Sequence, residues 1–500
     1  MIGLDLGTSG VKGLLVNRQG EVLQTASATY PLLTPKPGFS EQNPQEWLKA
    51  SQVVINKLIE LEPKILSELV AISFSGQMHS LVLLDENKQV LRNAILWNDV
   101  RTTKECQRIM AEKGADILRI TKNIALEGFT LPKILWVQEE EPATWEKVRS
   151  LMLPKDYLGF WLTGNQRMDY SDAAGTLLLD LEQKEWSKEI IEYFKIPLSY
   201  LPELSESSGK IGEMKEELRS LFGFENKVSI FAGGADNACG AVAAGITREG
   251  IGMSSIGTSG VFLAFEETAQ VDYQGKLHVF HHGIKDRVYS MGVTLAAGHS
   301  LTWFKNNFAK ELSYPELLST LNEVEPGADG LLFTPYIVGE RTPHSDSHIR
   351  GSFIGLDTRH EVKHLVRGVI EGITFSLKAS QELMTSQANK TFEKIVSVGG
   401  GAKNDQWLQI QADIFNTPIV TLKAEEGPGF GAVMIAAVGL GWFEEMTECS
   451  QAFVSYDRRF EPNPEAALKY QTIFDVYKKV YGATQEISHE LQKLRTEASL

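Results

Sequence analysis

Five hundred residues are more than one hydrophobic core supports, so the chain reads as at least two domains. With 43% apolar and 23% charged residues it has the make-up of an ordinary folded protein, and no apolar run reaches the roughly 20 residues of a membrane span. The net charge of −15 argues against a nucleic-acid partner, yet it leaves room for ATP gripped locally by backbone amides and a magnesium ion.

The opening Met1-Ile2-Gly3-Leu4-Asp5 lacks the basic and apolar regions of a secretory leader, so a cytoplasmic location is expected. Residues 2–6 form an apolar strand holding one Asp, followed by the turn Gly7-Thr8-Ser9-Gly10. A strand at 11–16, a turn at 17–20 and a strand at 21–26 complete an antiparallel meander. A helix is predicted over 44–60, with short strands at 69–73 and 82–85. Cys106, Cys239 and Cys449 are far apart and fit no CxxC or zinc spacing, which suits a reduced compartment.

Residues 228–232 form a buried strand ending in Gly233-Gly234, and a helix begins near Ala238. Residues 252–256 form another strand, ending in Gly257-Thr258-Ser259-Gly260. This echo of Gly7-Thr8-Ser9-Gly10, after an apolar strand both times, is the most informative internal repeat. A long amphipathic helix follows over 361–387, then a strand at 395–398 running into Gly399-Gly400-Gly401, and a helix over 405–415. In the tail, Tyr470, Ile473, Phe474, Tyr477, Val480 and Tyr481 recur at helical spacing as a core stripe. The predicted domains are 1–245 and 246–500.

The chain has no P-loop and no dinucleotide fingerprint set between strand and helix. Instead it carries three strand-to-glycine turns, whose successive N–H groups make anion-binding concavities. Two such hairpins facing each other across a cleft suit the two ends of a triphosphate. Asp5, inside an apolar strand, either bonds its own turn or lies near Mg-ATP, ordering the metal's water. Asp236 is either a helix cap or a catalytic base. A helix N-terminus is expected to keep its pKa low, which a loose phosphoryl-transfer transition state tolerates.

These motifs, in this order, resemble the FGGY family of carbohydrate kinases, from residue 2 to about 443. The phosphate motifs are similar at 2–12 and 254–260, the adenosine motif at 397–404. The first family signature is matched from Gly128 through Lys133 to Val137. The second runs over 351–371, with Gly368 where Ala or Ser is common. Ser75-Gly76-Gln77-Met78-His79, Ile95-Leu96-Trp97-Asn98-Asp99 and Gly339-Glu340-Arg341-Thr342-Pro343-His344 resemble the xylulokinase branch. Lys122 departs from it, standing where Gly is common.

The resemblance implies an α/β, two-domain actin-like ATPase (ribonuclease H-like) fold with an interdomain cleft. It implies ATP-dependent phosphorylation of D-xylulose at C5, with ATP and Mg2+, and Asp236 and Asp5 as catalytic residues, Asp5 meeting the metal through water. Met78, His79, Asp236, Asn237 and Arg119 are the implied sugar ligands. Gly7, Thr8, Ser9, Lys12, Gly257, Thr258, Ser259, Trp303, Gly400, Gly401 and Asn404 are the implied nucleotide ligands, although Trp303 also fits a core position. Partners reduce to the ketose and ATP, with no nucleic acid or membrane and a homodimer left open. The rival readings are a kinase for ribulose or gluconate, and a non-transferring ATPase of the same fold.

Overall fold

The computed structural model describes residues 1–497. Ile2, Leu4 and Leu6 are fully buried, so the first strand has the apolar run of a central strand covered on both faces. It pairs antiparallel with Gly10–Val16, which pairs antiparallel with Val22–Thr29. On its other side it pairs parallel with Ala71–Gly76, which pairs parallel with Ser229–Phe231. Lys210–Glu213 closes that edge.

The second sheet repeats this order. Ile251–Ile256 takes the central place, antiparallel to Gly260–Glu266, which is antiparallel to Val288–Thr294. On the other side come Lys394–Gly399 and Ile419–Leu422, both parallel. His278–His281 and Tyr456–Phe460 are added at the two edges. The echo between the two glycine turns is therefore the visible part of a duplicated five-strand unit.

All strands of the first sheet precede residue 245 and all strands of the second follow it. The helices do not divide that way. Pro428–Gly439 packs on the first sheet, against Ile2–Leu6 and Ala71–Gly76, and against the helix Asp236–Ala243. Its approach needs glycines: a Cβ on Gly3 would lie 2.1 Å from the Gly429 carbonyl, and one on Gly431 would lie 1.9 Å from the Cys239 carbonyl. This helix is apolar all round, as a helix buried between two layers must be.

The long helix Val362–Ala388 anchors the C-terminal helix Pro464–Glu497 through a buried network. Arg367 donates to Glu371 (2.8 Å), Tyr470 (2.8 Å) and two carbonyls, and Tyr470 donates to Glu371 at 2.6 Å. With every strong donor matched, removing one partner would cost about 3–5 kcal/mol. Gly368 sits beside it, where an added Cβ meets Leu331 at an ordinary 3.5 Å, so the missing methyl is a neutral packing change. Among the described residues no helix is long and apolar enough to cross a membrane, and all three cysteines are buried and free.

Candidate active site

The first hairpin is pinned from behind by side chains. Gln42 Nε2 donates to the Thr8 carbonyl at 2.6 Å, Gln77 Nε2 to the Gly7 carbonyl at 3.3 Å, and the Tyr30 hydroxyl to Gly7 as well. Trp97 Nε1 donates to Thr8 Oγ1 at 2.9 Å. With its carbonyls held, the turn closes through Gly7 N to Gly10 O at 3.0 Å and leaves Ser9 exposed. The second hairpin is exposed at Gly257, Thr258 and Ser259. Here the start of the helix Gly298–Phe308 does the pinning, through Gly298 N to Gly257 O (2.8 Å) and His299 N to Thr258 O (3.0 Å).

Asp5 lies opposite Lys12 in one register and Ser75 in the other. Burial raises its pKa, and the Ser75 hydroxyl and Lys12 ammonium offset part of that rise. Ser75 Oγ is buried and faces the Asp5 carboxylate. A carboxylate and a buried hydroxyl behind a glycine turn are hard oxygen donors of the kind a hydrated magnesium ion takes, so the residues fit that ion. Lys12 Nζ reaches across to the Glu426 carbonyl at 3.1 Å, tying the first hairpin to the loop before Pro428–Gly439.

Asp236 is the first residue of its helix, and Ala235 holds the cap position. Its Oδ1 accepts from Asn237 N (2.7 Å) and Asn237 Nδ2 (3.0 Å). The low pKa expected at a helix N-terminus is overturned. Burial first, then the charge of Asp5, push it up to about 7, and the two bonds from Asn237 recover only part of the shift. Sequence position revealed the helix end but not the desolvation, which comes from elements far apart in the chain.

Met78 and Asn237 meet next to this carboxylate, with Asn237 Nδ2 3.8 Å and the Tyr289 hydroxyl 3.9 Å from Met78 Sδ. His79 has φ 67°, a left-handed conformation uncommon for a residue with a Cβ. Its Nδ1 lies 2.7 Å from the Gly175 carbonyl, which can only accept, so Nδ1 carries the proton and Nε2 is a bare acceptor. Burial holds the imidazole neutral, with its pKa down at about 3. Its ring packs on Phe129 and Phe280, joining the two halves of the molecule.

A cavity of about 230 Å³ opens between Asp236 and the second sheet. Asp236, Asn237 and Gly240 line one side, Met253, Ser255 and Val398 of the second sheet another, and Glu425 and Gly427 a third. Gly399 and Gly400 stand at the end of the strand Lys394–Gly399, where the Gly399 amide is met by the Glu425 carboxylate (2.9 and 3.1 Å). Gly401 is buried against Ile256. Asn404 caps the next helix through Trp407 N at 2.9 Å, which leaves its Nδ2 free for other use. Trp303 is half-buried on the helix behind the second hairpin, stacked on Phe333.

Arg119 is a correction. Its side chain is 59% exposed and paired with Asp116 (3.1 Å) and Glu189 (2.8 Å) on the outer surface of its helix, so it is not brought to this group. Lys122, three residues on, adopts the left-handed conformation (φ 59°) that ends the helix. The Gly common there would suit the same turn, so the loop keeps its shape and the lysine pairs with Glu182 at 2.5 Å.

Three contributors escaped the sequence reading. Gln42 and Gln77 hold the hairpin, and only their polar character beside apolar strands hints at it. Arg341 is half-buried, and its guanidinium has no hydrogen bond or ion pair among the described residues. Its positive charge helps keep His79 and His278 neutral.

The chain matches the N-terminal domain of the FGGY family of carbohydrate kinases over residues 1–243 and the C-terminal domain over 252–440. It is 53% identical to a xylulose kinase of Lactococcus lactis subsp. lactis (strain IL1403), over 99% of both chains. Among solved structures it is similar to a "xyloylose kinase" from Brucella ovis (TM-score 0.93, 33% identity, covering 97% of this chain and 99% of that one). A gluconate kinase from Lactobacillus acidophilus is also similar (TM-score 0.92, 29% identity, 97% of each chain). With two paired sheets, two glycine hairpins and a half-buried carboxylate at the cavity between the sheets, the chain belongs to the FGGY family of carbohydrate kinases.

Proposed function

We propose that this kinase transfers the γ-phosphoryl group of Mg-ATP to the C5 hydroxyl of D-xylulose, with Asp236 as the base. The observation that carries the reading is Asp236 itself: half-buried, pushed up to about 7 by desolvation and the charge of Asp5, and lining the cavity between the two sheets. Both Asn237 bonds fall on Oδ1, which leaves Oδ2 for the sugar hydroxyl. A base poised near neutrality is half deprotonated where the enzyme works, and its conjugate acid is stable enough to hold the proton it takes.

In the reaction, Asp236 orients O5 and receives its proton as the bond from O5 to γ-phosphorus forms and the β–γ bridge breaks. Amides of Thr8, Ser9, Thr258 and Ser259 point at the phosphate chain and stabilise its charge. Asp5 would hold the magnesium ion through water, and that ion supplies the remaining charge neutralisation. His79 Nε2 accepts from a hydroxyl at the other end of the sugar, and Asn237 and Met78 line the middle. Substrate preference rests on the Met78-His79 and Trp97-Asn98 segments and on the 53% identity to the Lactococcus lactis xylulose kinase over 99% of both chains.

One observation favours a second reading. The unpaired Arg341 suits a carboxylate, and hence a sugar acid such as gluconate. An ADP-release assay across ketoses, alditols and sugar acids decides. D-Xylulose should give the highest kcat/KM. Gluconate or L-ribulose ahead of it would overturn the substrate, and no sugar-dependent release would overturn the transfer.

A further inference from the structure

Lys133 is fully buried, and its surroundings look wrong for a lysine. It lies in the first turn and a half of the helix Thr130–Glu140, at the positive end of the helix dipole, with no acidic residue in the first turn. It has no ion pair among the described residues; Asp99 and Glu127 act on it only from a distance. Its three N–H groups are instead shared among four backbone carbonyls: Phe129 at 2.8 Å, Glu127 at 3.2 Å, Gly128, and, as the longest contact, His79 at 3.5 Å. Burial drives the ammonium down to about 7. For stability alone, an apolar side chain of this length would serve better.

What this arrangement accomplishes is local. The His79 carbonyl takes one bond from Lys133 and another from Thr130 Oγ1 at 3.0 Å. The His79 ring is held at Nδ1 by Gly175. A left-handed non-glycine residue is strained and persists only where its surroundings over-determine it. Here those surroundings are Lys133 and Thr130 on one helix and Gly175 on a separate segment. The carbonyls of 127–129 carry Phe129, whose ring packs 4.7 Å from the imidazole.

We propose that Lys133 is a positioning residue for sugar binding: its ammonium ties the 127–129 turn to the His79 carbonyl and so aims the imidazole at the sugar. The inference rests on the proposed role of His79 in the sugar site. It predicts a defect confined to the sugar side of the reaction, because no contact of Lys133 reaches either phosphate hairpin.

The test is steady-state kinetics of the full chain carrying Lys133→Met, with Thr130→Val as a companion that removes the second bond to the same carbonyl without touching the buried charge. Lys133→Met should raise the KM for D-xylulose about ten-fold and Thr130→Val about three-fold, with kcat and the KM for ATP each within about two-fold. A change in kcat or in the KM for ATP with the sugar KM unmoved would overturn the proposal, as would normal sugar KM in both variants. If Lys133→Met does not fold, Thr130→Val alone decides on the same criterion. Should the wild type prefer another sugar, the substrate reading falls and the KM is measured for that sugar. If the wild type uses D-xylulose and only the variants disobey, this inference falls by itself.

Discussion

The two glycine hairpins have the same four residues and the same place in their sheets, yet they are built for different tasks. Aligned on Gly7 and Gly257, the first strand carries Asp5 where the second carries Ser255. The first turn is braced by side chains, from Gln42, Gln77 and Tyr30, while the second is braced by the backbone of a helix start, at Gly298 and His299. The carboxylate of the first half reaches the charge balance of Asp236, and nothing comparable exists in the second. In the proposed mechanism the duplication supplies two phosphate grips, and only the first carries a carboxylate that acts on Asp236.

That division can be broken experimentally, and the steepest loss belongs to the base. Asp236→Asn keeps both bonds from Asn237 within reach but cannot take a proton, so kcat should fall about 10³-fold with the sugar KM little changed, in a coupled ADP assay. Near-normal turnover would remove Asp236 from the mechanism. On the second hairpin the effect should be on binding. A Cβ on Gly298 would meet the Gly257 carbonyl at 2.4 Å and displace the turn. Gly298→Ala should therefore raise the KM for ATP roughly ten-fold, about 1.4 kcal/mol, and leave kcat at saturating ATP nearly intact. A fall in kcat alone would give the second hairpin a chemical role. The smallest change belongs to Ser255→Ala, which should stay within about two-fold in every constant, since a small substitution outside a bonded network is worth about 0.5 kcal/mol.

Much of this architecture was legible in the chain. The strand at 2–6, the helix ending at Phe415 and both Gly-Thr-Ser-Gly turns follow from periodicity and turn chemistry, and they lie where the sequence puts them. The strand predicted at 69–73 instead runs over Ala71–Gly76, because pairing with Ile2–Leu6 sets its register and local pattern does not. Three features were not legible because they arise only when distant segments meet. Pro428–Gly439 crosses to the first sheet, Arg119 turns outward to Glu189, and Asp236 is desolvated beside Asp5. A helix N-terminus alone predicts a strongly acidic Asp236. Burial between two sheets reverses that expectation, and no local window of sequence contains both.

The raised pKa of Asp236 and its dependence on Asp5 form the central claim, and the pH dependence of kcat/KM tests it most directly. Asp236 must be unprotonated to accept the hydroxyl proton, so kcat/KM, which reports the free enzyme, should rise with pH through a midpoint near 7 and level off above it. Asp5→Asn removes the neighbouring negative charge that helps raise that pKa, so the midpoint should move to lower pH while kcat/KM on the plateau falls. A wild-type profile flat from pH 5 to 8, about the range a base near 7 spans, or a midpoint unmoved in Asp5→Asn, would contradict the account.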